Sequence, residues 1–236
     1  MVDLDRWLLR PGPQRVVADA LFSGWRWASR MGTAGAGTRH AARFQHVGAG
    51  AAFSWPPGPT MGERWVRVGD AALVGPEVAL SVGMWPDEDL RPADGWVIRI
   101  GDRVNLGRRC ALVGRCRIDI GADVTFAPGV YVTDHNHRYA DHSTPIARQW
   151  VDEAPVRIGA GTWLGTGAVV LPGTDIGANV VVAAHAVVRG GVPDRCVIAG
   201  SPARVVRRWD AAAGAWDPPL KEGEGDAEAP PGWDGG

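Results

Sequence analysis

The sequence predicts a mainly β fold, a left-handed parallel β-helix of about five coils, and three observations carry that reading. First, a large apolar residue recurs every six positions, at Val68, Val74 and Leu80, then at Ile100, Leu106 and Leu112, then at Ile120, Phe126 and Val132. After a break the series resumes at Ile158, Leu164, Val170, Ile176, Val182 and Val188. Second, in eight of these fifteen hexads the next residue is glycine. Third, four positions after the apolar residue comes a small one, such as Val104, Cys110, Val124, Thr162, Ala168 or Ala186.

A short period of this kind describes a triangular coil in which each hexad supplies one flat strand and one corner, so about 18 residues complete a turn. The apolar residue fills the prism and the smaller one faces inward where the corner leaves little space. Coils stack at about 4.8 Å, each meeting its neighbour's backbone groups. A β-sandwich would instead need hairpin turns every 8–12 residues. Asn-Gly or Asp-Gly dipeptides do not recur at that spacing.

In chain order, residues 1–64 read as an N-terminal flank or cap. Within it, residues 14–30 mix apolar and charged positions at helical spacing and predict a helix against the first coil. Residues 65–208 are the β-helix, with excursions at 86–99 and 138–157 that break the phase; long loops on a rigid scaffold commonly carry function. Residues 209–236, rich in Gly, Pro and acidic side chains, predict a disordered tail.

The balance of 25 basic and 26 acidic residues gives no general attraction to nucleic acid or to an anionic membrane, so an anionic ligand must be held locally. No apolar run has the length of a membrane span, and the opening MVDLDRWLLRPG lacks a secretory pattern, so the expected location is the cytoplasm. Cys110, Cys116 and Cys196 form no CxxC pair and read as small buried residues, and no metal is expected.

Chemistry concentrates at the end of the third predicted coil, in Thr133-Asp134-His135-Asn136-His137-Arg138-Tyr139. This segment, the run IGAGTWLGTGAVVLPGTDIG at 158–177 and the closing VVAAHAVVRGGVPDRCVIAGSPARVVRR together resemble the hexapeptide-repeat acyltransferases. That family includes galactoside and maltose O-acetyltransferases, xenobiotic acetyltransferases and acetyltransferases of bacterial glycans. The resemblance implies transfer of an acyl group, most simply acetyl from acetyl-CoA, to a hydroxyl of a sugar, glycan or glycolipid, in a homotrimer. It implies one histidine as general base, and a gapless hexad count places His137 on that position, with His135 the alternative. It further implies the Thr166 N–H for the oxyanion, Ala184 beside the pantetheine arm, Trp163 near the reactive end, and Arg204 and Arg207 towards the phosphates. The matching acceptor positions hold Gly107 and Arg115, which puts a galactoside acceptor in doubt; Trp85, Trp96 and Trp150 offer flat faces for a sugar.

Coil arithmetic adds an orienting group: the sixth residue of the hexad above His137 is Asp175, and the neighbour below is Arg117. His40, His46 and His185 read as structural. Two other functions share the scaffold. A zinc enzyme of the γ-carbonic anhydrase type would use His137 and His142, but the expected third ligand position holds Arg117. A non-catalytic β-helix assembly module would need neither the histidine segment nor the terminal arginines.

Overall fold

The computed structural model describes residues 13–219. Among them, three parallel sheets form the faces of a triangular prism, and the chain visits the faces in strict rotation. Face 1 runs from His46–Val47 to Gly191–Val192, face 2 from Ala52–Phe53 to Cys196–Gly200, and face 3 from Thr60–Met61 to Val187–Val188. Six complete coils result, with a partial seventh. Five of them are the coils read from the hexads. The additional one, at 46–61, lies inside the segment expected to be flank. Its first two hexads keep the period, at Val47 and Phe53, but the run Trp55-Pro56-Pro57-Gly58-Pro59 delays the third position by one residue, to Thr60, the register partner of Leu80, which is not apolar.

The hexad rule holds because equivalent residues stack without offset. Ile100, Ile120, Ile158 and Ile176 are successive partners on face 1. Leu106, Phe126, Leu164 and Val182 do the same on face 2. Leu80, Leu112, Val132, Val170 and Val188 follow on face 3. All these side chains are buried in one continuous core. Glycine follows the apolar residue because of close approach between coils: a Cβ on Gly159 would lie 2.4 Å from the carbonyl carbon of Gly177 in the coil above. The left-handed backbone falls two residues later, at Arg103, Asp123 or Gly161, where the chain rounds the corner. At such corners Arg103 and Asp123 pair across adjacent coils at 2.6 Å, both half exposed.

The outward residues differ from face to face. Face 1 is charged: Arg67, Arg99, Asp119, Arg157 and Asp175 occupy one column. Face 3 is apolar, with Ala79, Ala111, Tyr131, Val169 and Val187 in register. Face 2 carries Leu73, Asn105, Thr125, Trp163, Val181 and Val197.

Both ends depart from expectation. The helix α1, Pro13–Met31, is longer than read and does not cap the first coil; most of its side chains face solvent. At the other end Ala203–Asp210 returns antiparallel along Cys196–Gly200, and Ala215–Asp217 pairs in turn with Arg208–Asp210. The tail expected at 209–236 is therefore ordered through Asp217, because this hairpin covers the exposed sheet edge of the last coil. Residues 220–236 lie outside the described residues.

Core and corner should separate in stability. Leu112→Ala, at a site with no solvent exposure, should cost about 2–5 kcal/mol in urea unfolding followed by circular dichroism. Arg103→Ala, at an exposed corner, should leave the midpoint unchanged within error.

Candidate active site

Both long excursions leave the prism at the same corner, between face 3 and the next face 1. One connects Ala79–Val82 to Ile98–Ile100, the other Tyr131–Thr133 to Val156–Ile158. Between them the intervening coil makes a tight corner at 115–117, so residues of that corner are held from both sides.

The upper hold is Asp134, whose side chain has no solvent exposure. Its carboxylate accepts the backbone N–H groups of Arg115 and Cys116 at 2.9 Å and of Arg117 at 2.7 Å. The same carboxylate meets His135 Nδ1 at 2.9 Å. An Nδ1–H donor to the carboxylate leaves Nε2 with its lone pair, the tautomer a general base needs. The ring is only 11% exposed. From Thr133 the chain continues into a small hairpin, His135–His137 against Val151–Glu153, that is separate from the prism sheets.

The lower hold is electrostatic. The Arg115 guanidinium donates to Glu88 of the first excursion at 2.7 Å and to Glu153 of the second. It also lies 4.8 Å from the ring centroid of Trp150, which meets Trp85 at 6.2 Å. Glu153 is the direct cross-strand partner of His135. Trp85 and Trp150 are half exposed, so an aromatic pair stands beside the guanidinium that links the two excursions. A groove of about 440 Å³ continues from Trp85 and Glu88 down the same corner to Arg64 and Met61.

His137 lies on the same side of the hairpin as His135 but is exposed, and among the described residues its ring has no hydrogen-bond partner. Asp175 is not its neighbour. It lies on face 1 and pairs with Arg157 at 3.0 Å. The coil arithmetic assumed that the hexad of Val132 runs unbroken to His137. In fact the chain leaves the coil at Asp134, which turns inward to the amides below. Arg117, the expected lower neighbour, lies 3.8 Å from the centroid of Trp96 and pairs with Asp94. Among the described residues no three His, Cys, Asp or Glu side chains gather in a metal-holding group, so His137 and His142 find no third ligand.

The proposed donor residues gather elsewhere. Trp163 stands half exposed on face 2, and its cross-strand column runs through Val181 and Val197 to Arg207. The register shifts by one residue between Arg207 and Val205, leaving Val206 unpaired. This bulge puts Arg204, opposite Ala199, and Arg207, opposite Val197, on the same outer side. Thr166 and Ala184 occupy successive coils at the adjoining corner, between faces 2 and 3, where His185 N–H donates to the Thr166 carbonyl at 2.8 Å. Among the described residues the N–H groups of Thr166 and Ala184 have no intramolecular acceptor.

A single chain does not bring the two groups together. The histidine corner and the Thr166 corner are separated by the width of face 3, one hexad or about 15–20 Å. Sequence reasoning missed Asp134, Glu88 and Glu153. Asp134 was visible as a carboxylate next to a histidine where a hexad fails, but its three amide partners are distant in sequence.

Comparison with known proteins agrees with the fold. A family model described as bacterial transferase hexapeptide (six repeats) matches residues 155–190, and one described as hexapeptide repeat of succinyl-transferase matches 97–134. Both stretches of the chain are thus similar to hexapeptide repeats of transferases. The two matches stop and resume on either side of the histidine hairpin, which neither includes. A probable acetyltransferase of Mycobacterium tuberculosis is 40% identical over 58% of this chain and 49% of its own length. Galactoside O-acetyltransferase of Escherichia coli is 29% identical over 61% of this chain and 64% of its own. The chain thus spans about half to two thirds of these relatives. Among solved structures, an N-acyltransferase of Bacillus cereus in complex with dTDP and coenzyme A superposes with a TM-score of 0.61 at 16% identity, covering 75% of this chain and 91% of that one. That likeness concerns the fold.

One titration follows from the buried corner. Burial, reinforced by the nearby Asp134 carboxylate, pushes the Cys116 thiol up to about 12. A thiol held neutral in the folded state stabilises fully below its ordinary value near 9, and that contribution is lost as pH rises towards 12. The wild-type urea midpoint should therefore fall between pH 9 and 11 more steeply than that of Cys116→Ala.

Proposed function

We propose that this protein is a coenzyme A-dependent O-acyltransferase, most simply an acetyltransferase, acting on a hydroxyl of a sugar, glycan or glycolipid as a homotrimer. The observation that carries the reading is the contact between the buried Asp134 carboxylate and His135 Nδ1. His135 Nε2 takes the proton of the acceptor hydroxyl as that oxygen attacks the thioester carbonyl. The tetrahedral oxyanion is met by the Thr166 N–H of a neighbouring chain. Collapse breaks the C–S bond, and the departing thiolate takes the proton back from His135. The acceptor ring lies against Trp85 and Trp150, with the rest of a larger acceptor in the groove below. Trp163 and Ala184 flank the thioester arm, and Arg204 and Arg207 meet the phosphates.

The names of the relatives support acetyl transfer, and one candidate O-acetyl transferase of lipopolysaccharide biosynthesis in Escherichia coli, 36% identical over 51% of this chain, supports a glycan acceptor. The trimer is supported by two features: the site's halves occupy different corners of one prism, and the face between those corners is apolar, whereas face 1 is charged. The cytoplasm, where acyl-CoA is available, is the expected location. No helix among the described residues is long and apolar enough to cross a membrane.

Three variants test the base, followed by thiol release from acetyl-CoA with a panel of sugar acceptors. His135→Ala should lower turnover about 10²- to 10⁴-fold. Asp134→Asn should lower it less, with the donor KM unchanged. His137→Ala should keep a substantial fraction. The reverse order of the two histidines would return the role to His137, the residue favoured by the hexad count.

Assembly is tested separately. Val169→Asp and Val187→Asp, on the outer side of face 3, should shift the mass in light scattering from three chains to one and abolish activity while the far-ultraviolet spectrum is retained. A wild-type mass of 25.0 kDa would remove the intersubunit site.

A further inference from the structure

Helix α1 is 19 residues long and carries a wide apolar side that nothing in the prism covers. Val16 is 71% exposed, Leu21 69%, Trp27 67% and Met31 68%. Only the C-terminal turn approaches the coils, where Gly32 lies against Trp55. At 3.6 residues per turn, Arg15, Asp19, Arg26 and Arg30 fall within an arc of about 60°. Val16, Val17, Leu21, Trp25, Trp27 and Met31 spread over about 180° of the opposite side, while Phe22 falls outside that arc, beside Arg15. Small residues, Ala20 and Gly24, occupy the middle of that side, and the two tryptophans stand towards its margins.

We infer that α1 is an interfacial helix that lays this side into an anionic phospholipid surface. The pattern has the parts such binding uses: arginine on the polar side, bulky apolar groups on the other, and tryptophan at the boundary between water and acyl chains. Charge complementarity selects the anionic surface, because three arginines stand against one aspartate here while the whole chain carries a net −1. Packing of the helices from several copies is the competing occupant, and the sequence disfavours it. The heptad seam would run through Val17, Ala20, Gly24, Trp27 and Met31, with glycine at its centre in place of the aliphatic residues that a coiled-coil core uses. The binding serves no step of the transfer reaction and stands or falls independently of it.

The test is co-sedimentation of the full chain with vesicles of phosphatidylcholine alone or mixed with phosphatidylglycerol, at 0.15 M salt. Wild type should pellet with the anionic vesicles and remain largely in solution with the neutral ones. Changing Arg15, Arg26 and Arg30 together to Gln should weaken binding roughly fivefold per arginine, about 100-fold in all. Val17→Asp with Leu21→Asp should abolish pelleting while the melting of the β-helix is unchanged, since neither residue touches the core. No pelleting of wild type with either vesicle would overturn the inference, as would retention of binding in the Val17/Leu21 variant. A fall in the mass of that variant by light scattering, with no vesicle binding by wild type, would assign the apolar side to contacts between copies.

Discussion

Every coil of this protein completes the hydrogen bonding of the next, and the rest of the structure depends on that ladder. Because a strand of two or three residues cannot satisfy its own backbone, each hexad is useful only when stacked without offset on its equivalent. This explains why glycine follows the apolar residue at Gly159, where the coil above passes within contact of the missing Cβ. It also explains why the chain can leave the prism only at corners: a departure within a strand would orphan the amides of two neighbours.

The candidate site exploits a corner of that kind. When the chain departs after Thr133, the tight corner below would expose the N–H groups of Arg115, Cys116 and Arg117. Asp134 accepts all three. Removed from water, that carboxylate also meets the adjacent imidazole, so closing a gap in the scaffold and orienting a histidine are done by one side chain. Arg115 then links the two excursions through Glu88 and Glu153 and carries Trp150 over its guanidinium. The ion pairs are largely buried, with Arg115 and Glu88 each about nine-tenths covered, so they specify position more than they add stability.

Outward residues divide the labour between faces. Charged side chains on face 1 keep it in water, while valines on face 3 and the tryptophan and valine column on face 2 flank the corner of Thr166 and Ala184. The bulge at Val206 extends the same surface by placing Arg204 and Arg207 side by side at its end.

The sequence by itself determined the period, and with it the prism, the core residues and the positions of the excursions, because a repeat of six is a local property that survives in every coil. It also singled out the segment around His135 and His137. It lost the first coil where a proline-rich run shifts the phase, and it lost the terminal hairpin because antiparallel pairing of Ala203–Asp210 on Cys196–Gly200 carries no period of six. Only the tertiary structure decided which histidine is oriented. Ring orientation depends on Asp134, and Asp134 is held by amides 17 to 19 residues earlier that reach it only when coils stack. Asp175, one coil away by counting, is removed from the site by the same stacking, which sets it against Arg157.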